Sequence, residues 1–202
     1  LFASFESSQP MLTQSQALAE SEKIQATGGG MERLVVEVKN QRNEGSCVGN
    51  ASTQGLQVLQ AWTYGRSSVT ILSAIATYKQ IGSSPGSGAM VSDSMTSLQR
   101  VGTLPLDTPE NRAKYGEHVM PATGFYTKFP TGWKETAKKF RIAEVTVIRS
   151  MEGLWTALLS GIPVVVGREG HSILYLGVVF KNGRMYFIYV NSWGAWGQAA
   201  GH

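Results

Sequence analysis

The feature that most narrows what this chain can fold into is a change of hydrophobic period between its two halves. From Cys47 onward, Ala51, Leu56, Leu59 and Trp62 recur three to five positions apart, close to the spacing of one helix face. Ser46 stands just before them as the expected N-cap. Residues 71–78 read as a second helix. A third begins near Ser92 or Asp93 and stops at Gly102, a glycine placed to end it. The second half is different: residues 142–148, 163–166, 171–180 and 185–190 read as strands and 151–159 as a short helix. Asn182-Gly183 between the last two strands is a strong hairpin-turn signal. Helices segregated from strands predict an α+β architecture, with a helical lobe followed by a strand-rich lobe.

The flanks and joins are read from composition. Residues 1–33 are expected to form a polar leader or extension. Residues 15–26 are helix-prone there, and Thr27-Gly28-Gly29-Gly30 breaks the pattern as a linker. The helical lobe is then 34–130 and the β-rich lobe 131–202. Residues 34–38 are a short β-prone run. Residues 103–132, with Pro105, Pro109, Pro121 and Pro130, are expected to cross between the lobes. The chain opens on Leu1 rather than Met, as a processed product or a fragment does.

Composition excludes several classes. A hydrophobic content of 42% against 16% charged is globular rather than disordered. The net charge of +4 is scattered, and its densest group, Lys134, Lys138, Lys139 and Arg141, reads as a solvated face. No nucleic-acid partner is therefore expected. No apolar run reaches the length of a membrane span, and no signal peptide is visible. With one cysteine there is no intrachain disulfide. That fits a reducing cytoplasm or a virion particle better than a disulfide-rich secreted scaffold. No metal and no cofactor is expected.

A lone cysteine is inert unless its surroundings activate it. A catalytic thiol reacts as the thiolate, and the unpaired N–H groups at a helix start favour that anion. The sequence puts Cys47 at such a start. Two motifs compete for it. Gly45-Ser46-Cys47-Val48-Gly49 fits a nucleophile elbow, but an elbow needs a strand running into it. Residues 40–44 are polar and strand-poor, and Ile173 stands where the amidotransferase type of elbow enzyme has a glutamate.

The second motif has Lys39-Asn40-Gln41 before Gly45-Ser46-Cys47. It continues in Gly170-His171-Ser172-Ile173-Leu174-Tyr175-Leu176-Gly177 and in Asn191-Ser192-Trp193-Gly194, then Trp196-Gly197. In order and separation this resembles the papain-like cysteine peptidases, in a disulfide-free form such as bacterial, archaeal or phage members have. The resemblance implies a cleft between a helical lobe and a β-barrel-like lobe. It implies Cys47 as nucleophile, His171 as base, Asn191 as the residue orienting that base, and Gln41 as an oxyanion donor. Trp193 would shield the His171–Asn191 bond. Gly86-Ser87-Gly88, followed by Asp93-Ser94-Met95 and Leu98, resembles the glycine-rich substrate wall and its helix. Substrate contacts then fall to Gly88, Gly170 and Trp193. Of the other two histidines, His118 reads as a surface residue and His202 is the last residue. The chain departs from the family in Val48, Gly49 and Asn50 after the cysteine, in Glu44, and in stopping soon after Gly197.

The expected function is cleavage of a peptide or protein substrate through a thioester. Residues 1–33 would then serve as a propeptide or a docking arm. The alternatives are a non-catalytic papain-fold subunit of a larger assembly such as a phage particle, or amidase or transpeptidase chemistry on the same triad.

Overall fold

One helix organises the molecule. In the computed structural model, which describes residues 2–115, 125–126 and 128–194, helix α2 (Cys47–Tyr64) is buried over most of its length, polar residues included. It is preceded by α1 (Gln14–Ala26) and followed by α3 (Ala74–Lys79), α4 (Val91–Arg100), α5 (Pro109–Tyr115), α6 (Trp133–Ala137) and α7 (Met151–Leu159). The strands are β1 (Ala3–Ser4), β2 (Thr146–Val147), β3 (Val164–Arg168), β4 (His171–Lys181) and β5 (Arg184–Val190). On one side α2 packs against α3 and α4, on the other against β3 and β4. Glycine permits the first contact: a Cβ on Gly49 would stand 2.7 Å from the Ala74 carbonyl oxygen and 2.8 Å from Tyr78 Cβ. Trp62, expected on the apolar face, is 59% exposed because the helix runs past the core at its C-terminal end.

The β lobe is an antiparallel sheet in the order β3-β4-β5. Both connections are two-residue turns with positive φ at each central residue, Glu169 (34°) with Gly170 (78°) and Asn182 (52°) with Gly183 (73°). This is the turn geometry whose twist matches that of paired strands. Leu174, Leu176 and Val178 of β4 are buried with Ala51 and Val58 of α2, Ala17 of α1, Met31, and Trp155 and Leu158 of α7. Apolar burial at these side chains, about 1.5–3 kcal/mol for each large one, locks the two lobes together.

Two strand expectations change. Residues 34–38 form no strand: Met31–Leu34 is a 3₁₀ turn, and the chain beyond it is held by side chains. The Arg66 guanidinium donates to the Val35 carbonyl at 3.0 Å, and buried Lys39 bonds Glu37 at 2.7 Å and the Leu72 carbonyl at 3.1 Å. Of 142–148 only Thr146–Val147 is strand, because its one partner is the two-residue β1. His118, Trp196, Gly197 and His202 lie outside the described residues. No described helix is long and apolar enough to cross a membrane.

The segment before residue 34 lies on the β lobe. After β1, the Glu6 carboxylate accepts from the backbone N–H groups of Arg149 (2.7 Å) and Ser150 (3.0 Å), at the start of α7. Trp155 Nε1 donates to the Leu12 carbonyl, and Ser21 Oγ to that of Val178. The Ser4 hydroxyl and then the Arg149 N–H hold the Glu6 carboxyl down at about 2, from 4.5. A carboxylate depressed on folding contributes stability above its unfolded value and loses it as pH falls through its folded one. Glu6→Ala is therefore expected to lower the melting temperature at pH 7. The deficit should shrink between pH 4.5 and about 2, as read by parallel acid titrations of the intrinsic tryptophan fluorescence.

Candidate active site

Cys47 is the first residue of α2 and is 7% exposed. Ser46 occupies the N-cap position as expected, but its side chain makes no cap bond to the first-turn N–H groups. Its hydroxyl instead receives the Asn50 carboxamide at 3.0 Å, which also bonds the Ser46 carbonyl. The positive end of the helix dipole thus stands at the thiol without the Ser46 hydroxyl competing for its donors. Residues 41–46 approach Cys47 through turns and bends, not a strand, so the elbow motif has no structural counterpart here.

The approach segment is clasped to the far end of the chain. The Gln41 N–H donates to the Ser192 carbonyl at 2.8 Å, and the Gly194 N–H to the Lys39 carbonyl at 2.9 Å, with Asn40 paired to Trp193 between them. The Gln41 side chain is held at both of its ends. Its oxygen accepts the Ser192 hydroxyl, and its nitrogen donates to the Glu44 carbonyl at 2.9 Å. A carboxamide nitrogen has two hydrogens, so one is left for another acceptor.

His171 opens β4, and its Nε2 lies 2.8 Å from Asn191 Oδ1. The same oxygen accepts the Ser192 backbone N–H at 2.8 Å. An N–H can only donate, which fixes that atom as the oxygen and makes Nε2 the protonated ring nitrogen. Nδ1 is left as the basic one. Trp193 stacks on the imidazole at 5.3 Å between centroids and 23° between planes. The first two turns of α2 lie at this end of the sheet: Asn50, Ala51 and Gln54 share a small cavity with Ser172, Asn191 and Ser192.

The sequence matches no family model and no curated protein. Solved structures do match. Xylellain, a cysteine protease from Xylella fastidiosa, superposes with a TM-score of 0.58 at 21% identity, covering 78% of this chain and 71% of its own. Digestive procathepsin L 3 from the larval midgut of Tenebrio molitor gives 0.63 at 19% identity, covering 82% and 59%. Procathepsin L2 from the same tissue gives 0.64 at 17%, covering 82% and 57%. The fold is papain-like. The chain spans less than two thirds of the length of either procathepsin.

Within this papain-like frame the Gly86–Gly88 loop lies against the approach to Cys47. Gly45 N–H donates to the Pro85 carbonyl at 2.8 Å, and a Cβ on Gly45 would stand 2.8 Å from the Gly88 nitrogen. Gly88 (φ 69°) and Gly170 (φ 78°) face open space, so what requires glycine there is backbone conformation, not room. Motif reading singled out Gln41, Cys47, His171 and Asn191 as candidates. It missed the Ser192 hydroxyl, which fixes the Gln41 oxygen across 151 positions, and Asn50, which secures Ser46. Neither has a local signal: a serine in a turn and an asparagine in a helix have many ordinary uses.

Proposed function

We propose that this chain is a cysteine peptidase that cleaves amide bonds through Cys47, His171 and Asn191. The reading is carried by the orientation of His171: a carboxamide oxygen fixed by Ser192 holds the proton on Nε2 and leaves Nδ1 as base. Cys47, at a helix N-terminus, passes its proton to that nitrogen, and the thiolate attacks the amide carbon. Negative charge on the carbonyl oxygen meets the Cys47 N–H and the second hydrogen of Gln41 Nε2. The C–N bond breaks as the imidazolium protonates the leaving amine. Water, deprotonated by His171, then hydrolyses the thioester and regenerates the thiol. Gly88, Gly170 and Trp193 border the peptide in this reading.

A panel of fluorogenic peptides under reducing conditions tests it. Turnover that stops after stoichiometric alkylation of Cys47 is expected; a folded protein that alkylates like a free thiol and cleaves nothing overturns it. Gly45→Ala should push the Gly86–Gly88 wall outward and raise KM about tenfold, the scale of loss when a positioning surface shifts by part of an ångström. kcat should change less. Steady-state kinetics on the best peptide separates the two.

A further inference from the structure

Beside Asn191 lies a small cavity of about 10 Å³ whose lining includes Asn50, Gln54, Ser172, Asn191 and Ser192. That is about the room one water needs. Two of its walls carry polar atoms that find no hydrogen-bond partner among the described residues. Gln54 is 3% exposed and its Nε2 has no partner among the described residues. Ser172 is 1% exposed and the same holds for its Oγ. A buried donor left unsatisfied is costly, and a single bound water that bridges such groups removes the cost.

The location gives the pair a role. Ser172 follows His171 on β4, and Asn191 and Ser192 are the two residues that fix the imidazole and Gln41. Gln54 comes from α2, two turns after Cys47. We propose that Gln54 is a positioning residue: through one internal water shared with Ser172, it ties the nucleophile helix to the strand ends that carry His171 and Asn191. The water accepts from the Gln54 carboxamide and exchanges a hydrogen bond with the Ser172 hydroxyl. It completes its set on the polar atoms of the Asn191–Ser192 wall. An apolar core at these positions would hold the lobes together equally well, but it would leave their relative rotation about the cleft to packing alone. A directional bridge fixes it.

The functional half of this inference rests on the peptidase reading; the water site does not. A crystal structure of the unmodified chain at a resolution that shows solvent should contain one ordered water within hydrogen-bond distance of both Gln54 Nε2 and Ser172 Oγ. Gln54→Met, which keeps the volume and removes the donor, should lower kcat about tenfold, the order of a small misalignment of reacting groups. KM should stay within about twofold. Its Cys47 alkylation rate at pH 6, relative to pH 9, should fall by about the same tenfold factor, because the thiol is then held less firmly to its base. Ser172→Ala should shift both readouts in the same direction, and stands in if Gln54→Met does not fold. A Gln54 nitrogen bonded directly to protein with no water present overturns the proposal, as does a folded variant whose alkylation profile matches that of the parent. Absence of peptide cleavage in the parent, with its alkylation profile responding as described, overturns the peptidase reading alone.

Discussion

Cys47→Ala is expected to remove peptide cleavage completely within the sensitivity of the assay, a loss of about 10⁴-fold or more, as when a covalent nucleophile is deleted from its triad. The change is small where it occurs. The side chain is the first in α2, alanine is the better helix former, and Cys47 is the only free cysteine among the described residues. Stability should therefore stay within about 1 kcal/mol of the parent. Because the chain has a single cysteine, mass spectrometry after alkylation reads one label in the parent and none in the variant. Residual cleavage in Cys47→Ala at more than a trace would assign the activity to another group. A melting temperature that collapses would instead make Cys47 a packing residue.

Gln41→Ala should lower kcat by about 10²–10³, the 3–4 kcal/mol or so that one oxyanion donor supplies, with KM nearly unchanged. The competing account is that Gln41 is only an anchor, since its side chain already joins Ser192 to the Glu44 carbonyl. The two separate cleanly. An anchor lost would show as a lower melting temperature with kcat close to that of the parent. A donor lost would show in kcat first. Gln41→Glu sharpens the comparison: it keeps an acceptor for the Ser192 hydroxyl but replaces the donor with a negative charge facing the developing oxyanion. It should be at least as slow as the alanine variant.

How much of this could be read from the residues depended on how far apart the deciding partners lie. The β4–β5 hairpin was legible because Asn182 and Gly183 carry their own positive φ. Residues 151–159 were legible because the helix starts where Ser150 caps the Gly153 N–H, three positions away. Residues 34–38 misled because their β-prone composition says nothing about Arg66, 31 positions after Val35, which takes the Val35 carbonyl. The attachment of the first residues to α7 was equally hidden, since Glu6 finds its donors at Arg149 and Ser150. Within the site the residue types stood out by order and spacing, but their supports did not. Asn191 was recognisable; that a backbone N–H of Ser192 dictates which way its carboxamide points was not.

The clasp between residues 39–41 and 192–194 has a consequence for a polypeptide still being made. A ribosome delivers the sulfur-bearing helix some 144 positions ahead of Asn191. Until the segment after β5 has emerged, His171 has nothing to set its tautomer and Gln41 nothing to hold its amide. For that interval a nascent chain carries its thiol without the hydrogen bonds that orient Gln41 and His171, and the arrangement is complete only once residues 191–194 have emerged.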